Sequence, residues 1–131
     1  MRKSEEQKRL ELLACEVLGY LHKKDSYAEI NLVKSLQMRK LNLRHLGKDK
    51  TTNVLSFSHP SWFPRVSSGS PRLLGEVYLD PVFIKKRGES IDYLLVHGLL
   101  HLLGLDHGRY DDRIKMERME KKILKWLKIG S

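Results

Sequence analysis

The segment His97-Gly-Leu-Leu-His101-Leu-Leu-Gly104-Leu-Asp-His107 constrains this chain more than any other. His97 and His101 are four residues apart, so on a helix their side chains stack on one face. Two imidazoles at that spacing can take adjacent corners of a tetrahedron at about 2.0–2.1 Å from a zinc ion. Gly104 stands where such a helix must stop, because glycine adopts the left-handed conformation that ends a helix at little cost. The chain can then turn back and bring His107 to the same ion. Three protein ligands leave a fourth position open, as catalytic zinc sites do. Core or surface histidines on an amphipathic helix are the plainer alternative, but the three together, with the glycine in place, favour a metal site. Imidazole also suits nickel, copper and iron, so the spacing leaves the metal's identity open.

The spacing resembles the HExxHxxGxxH motif of the metzincin proteases, with one difference. Position 98 is glycine, where those proteases carry the glutamate that activates water. Asp106 is the nearest carboxylate in sequence; it is either a partner that orients an imidazole or a solvated turn residue. Asp111 and Asp112 are expected to cap the last helix.

Around this segment, helical and strand patterns interleave. Residues 5–22 read as a helix with Leu10, Leu13, Ala14, Val17, Leu18 and Leu21 on one apolar stripe. Residues 27–33 (YAEINLV), 53–57 (NVLSF) and 73–79 (LLGEVYL) read as strands. Ser35 is the expected N-cap of a short helix through about residue 45. Residues 58–72, with three of the four prolines, read as a loop. A helix at about 89–103 carries His97 and His101, and residues 110–128 form a last helix with Ile114, Met119, Ile123, Trp126 and Leu127 facing inward. The class expected is α+β: a small mixed sheet of three to four strands packed with helices.

A length of 131 residues fits one domain, residues 1–131, with a core large enough to need no staples. The single cysteine, Cys15, allows no internal disulfide and is expected to be a small buried residue of the first helix. The stretch Tyr93 to Leu105 is too short to span a bilayer, and the first residues lack the apolar core of a signal peptide, so a cytoplasmic protein is expected. The formal charge of +9 favours polyanionic partners, of which RNA is the commonest in a cytoplasm, although many small proteins are basic for solubility alone.

HGLLHLLGLDH is similar to the signature of the YbeY family of rRNA-maturation endoribonucleases, HGxLHLxGYDH. Leu41-Asn42 followed by Gly47-Lys-Asp-Lys-Thr-Thr-Asn-Val-Leu-Ser-Phe57 resembles that family's LNxxYRGKDKPTDVLSF, and Leu74-Gly75-Glu76-Val77 resembles its LGDI strand. The resemblance implies a metal-dependent, single-strand-specific RNase acting on ribosomal RNA, with zinc on His97, His101 and His107. The family's YRG arginine falls on Leu46 and its tyrosine on His45; Pro and Asp of PTD fall on Thr51 and Asn53, and the Tyr before Asp-His on Leu105. Arg44 is a candidate substitute for that arginine, though about 200° round a helix from Leu46. Members usually begin with a strand ahead of the first helix. That strand is missing here, so the sheet is expected to be one strand short with an exposed edge.

Cleavage of a phosphodiester develops negative charge on phosphate, by attack of either water or the 2′-hydroxyl, and a nearby cation stabilises it. Lys48, Lys50 and Arg44 are the candidate phosphate contacts, against a solvated turn as the alternative. Lys85-Lys86-Arg87 and the basic last helix could follow an RNA backbone. Glu117 and Glu120 make a solvated face an equal reading of that helix. Trp62 and Phe63 are candidate stacking platforms or lid residues. Three functions follow: an endoribonuclease of rRNA processing and ribosome quality control; a metalloprotease-like hydrolase, opposed by Gly98; and a ribosome-binding assembly factor with a structural metal, suggested by Leu46.

Overall fold

Alternating burial along three short apolar runs makes the sheet, and the main helices pack on one of its faces. The computed structural model describes residues 3–60, 65, 67, 69–104 and 110–128. In chain order the elements are α1 (Glu5–Tyr20), β1 (Ser26–Leu32), α2 (Ser35–Leu46), β2 (Val54–Ser58), β3 (Arg72–Leu79), α3 (Pro81–Lys86), α4 (Ile91–Leu102) and α5 (Tyr110–Leu127). The strand order is β1-β3-β2. β3 runs parallel to β1 and antiparallel to β2. The sheet is therefore mixed and three-stranded, with β1 and β2 at its edges, and the fold is α+β.

The two sheet faces are sorted by register. Ser56 of β2 lies opposite Val77 of β3, and Leu55 opposite Tyr78. Neighbours on a strand point to opposite faces. Ser56 and Val77 face α4. Phe57 points the other way, its ring 4.5 Å from the His45 ring of α2 and 5.8 Å from that of Tyr78. On the α4 side, Leu10, Val17, Ile30, Val77, Leu79, Leu95, Leu99 and Ile123 belong to one buried apolar cluster.

Local chemistry sets where the helices begin and end. Ser4 caps α1, its hydroxyl accepting from Gln7 N at 3.1 Å. The stripe Leu10, Leu13, Ala14, Val17 and Leu18 is buried as expected. Cys15 is not: it is exposed, because it lies roughly 130° round the helix from the middle of that stripe. Ser35 is not the N-cap of α2 either. Lys34 holds that position, its N–H donating to Gln37 Oε1 at 3.0 Å. The Ser35 hydroxyl instead donates to Asp80 Oδ2 at 2.6 Å.

Asp80 is fully buried at the end of β3. It also accepts from Thr51 Oγ1 at 2.7 Å and from Phe83 N at 3.1 Å, where it caps α3. One carboxylate thus joins the start of α2, the loop before β2 and the turn into α3. Helix α3 was not expected from the sequence, although Asp80-Pro81 is an N-cap followed by a proline at the first helical position. Arg9 of α1 grips Asp92 of α4 with two bonds of 2.7 and 2.9 Å. With the arginine half-exposed, that pair contributes at most about 1 kcal/mol. At the far end of α1, Trp126 of α5 is 49% exposed rather than inward-facing, its ring 4.7 Å from that of Tyr20.

Candidate metal centre

Ser90 starts α4, accepting from Tyr93 N at 3.2 Å. Between Leu94 and Leu102 every residue but His97 and His101 is buried. The helix is submerged in the core except along the row Tyr93, His97, His101, whose i, i+4 spacing keeps the three on one side. The Nε2 atoms of His97 and His101 converge to 2.9 Å. Two ligands on a tetrahedral zinc at ordinary bond length stand roughly 3.3 Å apart, so the pair would have to open only slightly to hold such an ion. Among the described residues the histidines make a pair rather than a cluster of three. His107, with Asp106, lies outside the described residues. Helix α4 ends as the sequence requires: Gly104 has φ 78°, and its N–H donates to His101 O at 3.0 Å.

Gly98 has a packing reason to be glycine. A Cβ there would stand 2.9 Å from Ser56 Oγ and 3.0 Å from Val77 Cγ1, because α4 lies directly on β2 and β3. The position where the proteases carry their glutamate faces the sheet here, away from the histidine row. The missing carboxylate is therefore part of how the helix docks.

The wall opposite the histidines comes from α5. His97, His101, Arg113, Met116, Glu117 and Glu120 line a cavity of about 260 Å³. Glu120 is not on a solvated face: it is 3% exposed, while Glu117 is exposed. Glu120 shares the inward side of α5 with Met116 and Ile123, at steps of four and three residues. A carboxylate set within an apolar stripe was the sequence signal for it. Its Oε1 lies 3.2 Å from His97 Nδ1. Burial pushes the Glu120 carboxyl up, but hydrogen bonds with His97 and Tyr93 and the nearby imidazoles outweigh it and the net shift is down. The Tyr93 phenol is pushed up to about 12 by its hydrogen bond to that carboxylate and then by burial. Its ring stacks beside that of His97, centroids 6.2 Å apart.

Arg44, Lys48 and Lys50 are all exposed, on the last turn of α2 and the loop after it. They belong to the α2 side of the sheet and are not among the residues lining the histidine cavity. Leu46 is 54% exposed and Leu43 48%, and both Arg44 and position 46 face water. Asn42, buried at 2%, holds the following loop by donating to Lys50 O at 2.8 Å. Arg113 of the cavity wall was not singled out in the sequence, where it is one of many cations on α5. Trp62 and Phe63 lie outside the described residues. Asp111 and Asp112 fall in the first turn of α5, inside the helix rather than ahead of it. No helix among the described residues is long and apolar enough to cross a membrane.

Residues 2–128 match the family model described as Endoribonuclease YbeY. Proteins named Endoribonuclease YbeY are similar to this chain. That of Chelativorans sp. (strain BNC1) is 42% identical over 102 residues, covering 72% of this chain and 61% of its own length. That of Buchnera aphidicola subsp. Schizaphis graminum (strain Sg) is 34% identical over 118 residues, covering 82% and 71%. That of Anaeromyxobacter sp. (strain Fw109-5) is 40% identical over 123 residues, covering 86% and 60%. This chain thus spans about three fifths of the Chelativorans and Anaeromyxobacter relatives. The solution structure of TM1509 from Thermotoga maritima aligns with a TM-score of 0.54 at 20% identity, covering 98% of this chain and 88% of that one, a likeness of fold.

Proposed function

The chain belongs to the YbeY endoribonuclease family, and on that premise we propose that it is a metal-dependent endoribonuclease of single-stranded RNA, holding one zinc ion on His97, His101 and His107. The observation that carries this reading is the convergence of the His97 and His101 Nε2 atoms at 2.9 Å beside an open cavity. Held by these histidines, a zinc ion would supply Lewis-acid chemistry toward a phosphoryl oxygen. The chain's own groups do the rest. His97 and His101 are held by a helix buried around them, so their rings are oriented before any ligand arrives; at 2.9 Å one Nε2 donates to the other, and that proton would leave when a metal takes both nitrogens. Arg113, across the cavity, is placed to take up charge that develops on phosphate. Arg44, Lys48 and Lys50 serve as outlying contacts to the RNA backbone rather than as groups at the reacting phosphate.

Ribosomal RNA is the proposed substrate, in maturation and quality control of the ribosome, in the cytoplasm. The formal charge of +9 supports a polyanionic partner. One observation favours a second reading, a ribosome assembly factor with a structural ion: exposed Leu46 stands where the family pattern has arginine. Gly98, packed on the sheet, argues against a protease.

The test is incubation of the zinc-loaded chain with labelled single-stranded RNA, duplex RNA and casein. The expected result is cleavage of single-stranded RNA alone, stopped by chelator and restored by zinc. Digested casein would instead support the protease. Intact RNA, together with unfolding of the His101→Ala variant, would support the structural ion.

A further inference from the structure

We propose that Glu120 is a positioning residue, a buried carboxylate that fixes His97 in the tautomer whose Nε2 carries a lone pair for the metal. The inference rests on the zinc reading above and deepens it. Glu120 Oε1 lies 3.2 Å from His97 Nδ1, while His97 Nε2 lies on the far side of the ring, 2.9 Å from His101 Nε2. The ionised carboxylate can only accept, so Nδ1 must carry the proton and donate it. Nε2 is then unprotonated and points at His101. This is the arrangement in which a metal-bound imidazole gives its other N–H to a carboxylate.

The ring's two nitrogens point apart. Glu120 therefore supports the pair from behind and is not itself a third ligand. Burying a carboxylate on an apolar helix face carries a desolvation penalty that Met116 and Ile123 beside it do nothing to offset. His97, on α4, provides the compensating contact. Tyr93, one turn before His97, lies on the same row of α4, its ring stacked beside that of His97. One residue of α5 thus sets the direction of one lone pair on α4.

The test compares the wild-type chain with Glu120→Gln, Glu120→Leu and Tyr93→Phe. Long-range ¹H–¹⁵N spectra of the metal-free proteins, at about pH 8.5 and so above the ordinary imidazole range, read the His97 tautomer directly. Zinc affinity is read by competition with a chromophoric chelator. The wild type is expected to show the Nδ1–H tautomer. Glu120→Gln keeps an acceptor oxygen and retains it, and Tyr93→Phe retains it with a smaller loss of affinity. Glu120→Leu mixes the tautomers and weakens zinc binding by about 10–100-fold. Its melting temperature is unchanged or higher, since an apolar residue suits that helix face. A merely structural role predicts the opposite, a fall in melting temperature with the tautomer unmoved. An Nε2–H tautomer in the wild type, or an unmixed tautomer in Glu120→Leu, overturns the proposal. Absence of zinc binding by the wild type would overturn the metal reading instead, and the metal-free spectra would still decide the Glu120–His97 contact.

Discussion

At the scale of single residues, two buried positions stand out: Gly98 shapes the site and Asp80 holds the fold. Gly98 lets α4 lie flat on β2 and β3, with Ser56 Oγ and Val77 Cγ1 where a Cβ would go. Restoring the protease glutamate by Gly98→Glu is therefore expected to destabilise the fold by about 3 kcal/mol or more, from overpacking and a buried unpaired carboxylate, and to confer no peptidase activity. Urea unfolding and a casein assay check this; near-native stability with casein hydrolysis would contradict it. Asp80 satisfies two hydroxyls and one backbone N–H inside the core. Asp80→Ala removes a helix cap and leaves those donors without their acceptor, so a loss of about 3 kcal/mol in urea unfolding is expected, and a change under about 1 kcal/mol would refute the role. The histidine row was legible because imidazole spacing encodes a helix face. Asp80 was not, because its partners come from positions 35, 51 and 83, and no local pattern announces a carboxylate with three distant donors.

At the scale of elements, the central device is a helix that stops. Gly104 at φ 78° closes α4 immediately after the histidine row. Gly104→Ala places a Cβ in the left-handed region and is expected to cost about 1–2 kcal/mol. It should weaken zinc binding in the same variant, because the chain leaving α4 leads to His107. Calorimetry and chelator competition read the two effects, and an unchanged affinity would separate His107 from the ion. The long amphipathic helices α1 and α5 and the three strands were readable because each repeats its period several times. Helix α3 was missed because six residues show no period, and its signal lay in the cap and the proline instead. The burial of Glu120 was missed for a different reason: charge type outweighed position in a reading that took Glu117 and Glu120 together as signs of a solvated face. Cys15 shows the converse, since closeness in sequence to a buried stripe is not closeness on the helix surface.

At the scale of the whole molecule, the +9 charge and the cavity between α4 and α5 fit the proposed function, in which a polyanion is gathered by field and acted on at one point. Binding of single-stranded RNA is accordingly expected to weaken steeply with salt. Three phosphate contacts would give roughly a twentyfold loss of affinity between about 50 and 200 mM monovalent salt, measured by fluorescence anisotropy with a chelated sample to prevent cleavage. A flat dependence would mean that the positive charge serves solubility alone. The most direct test of the central claim is a zinc titration of the intact chain beside His101→Ala, with circular dichroism to follow folding. The account predicts one equivalent of zinc for the wild type, loss of that binding in the variant, and matching spectra. Equal zinc binding by the two proteins, or none by the wild type, would contradict it.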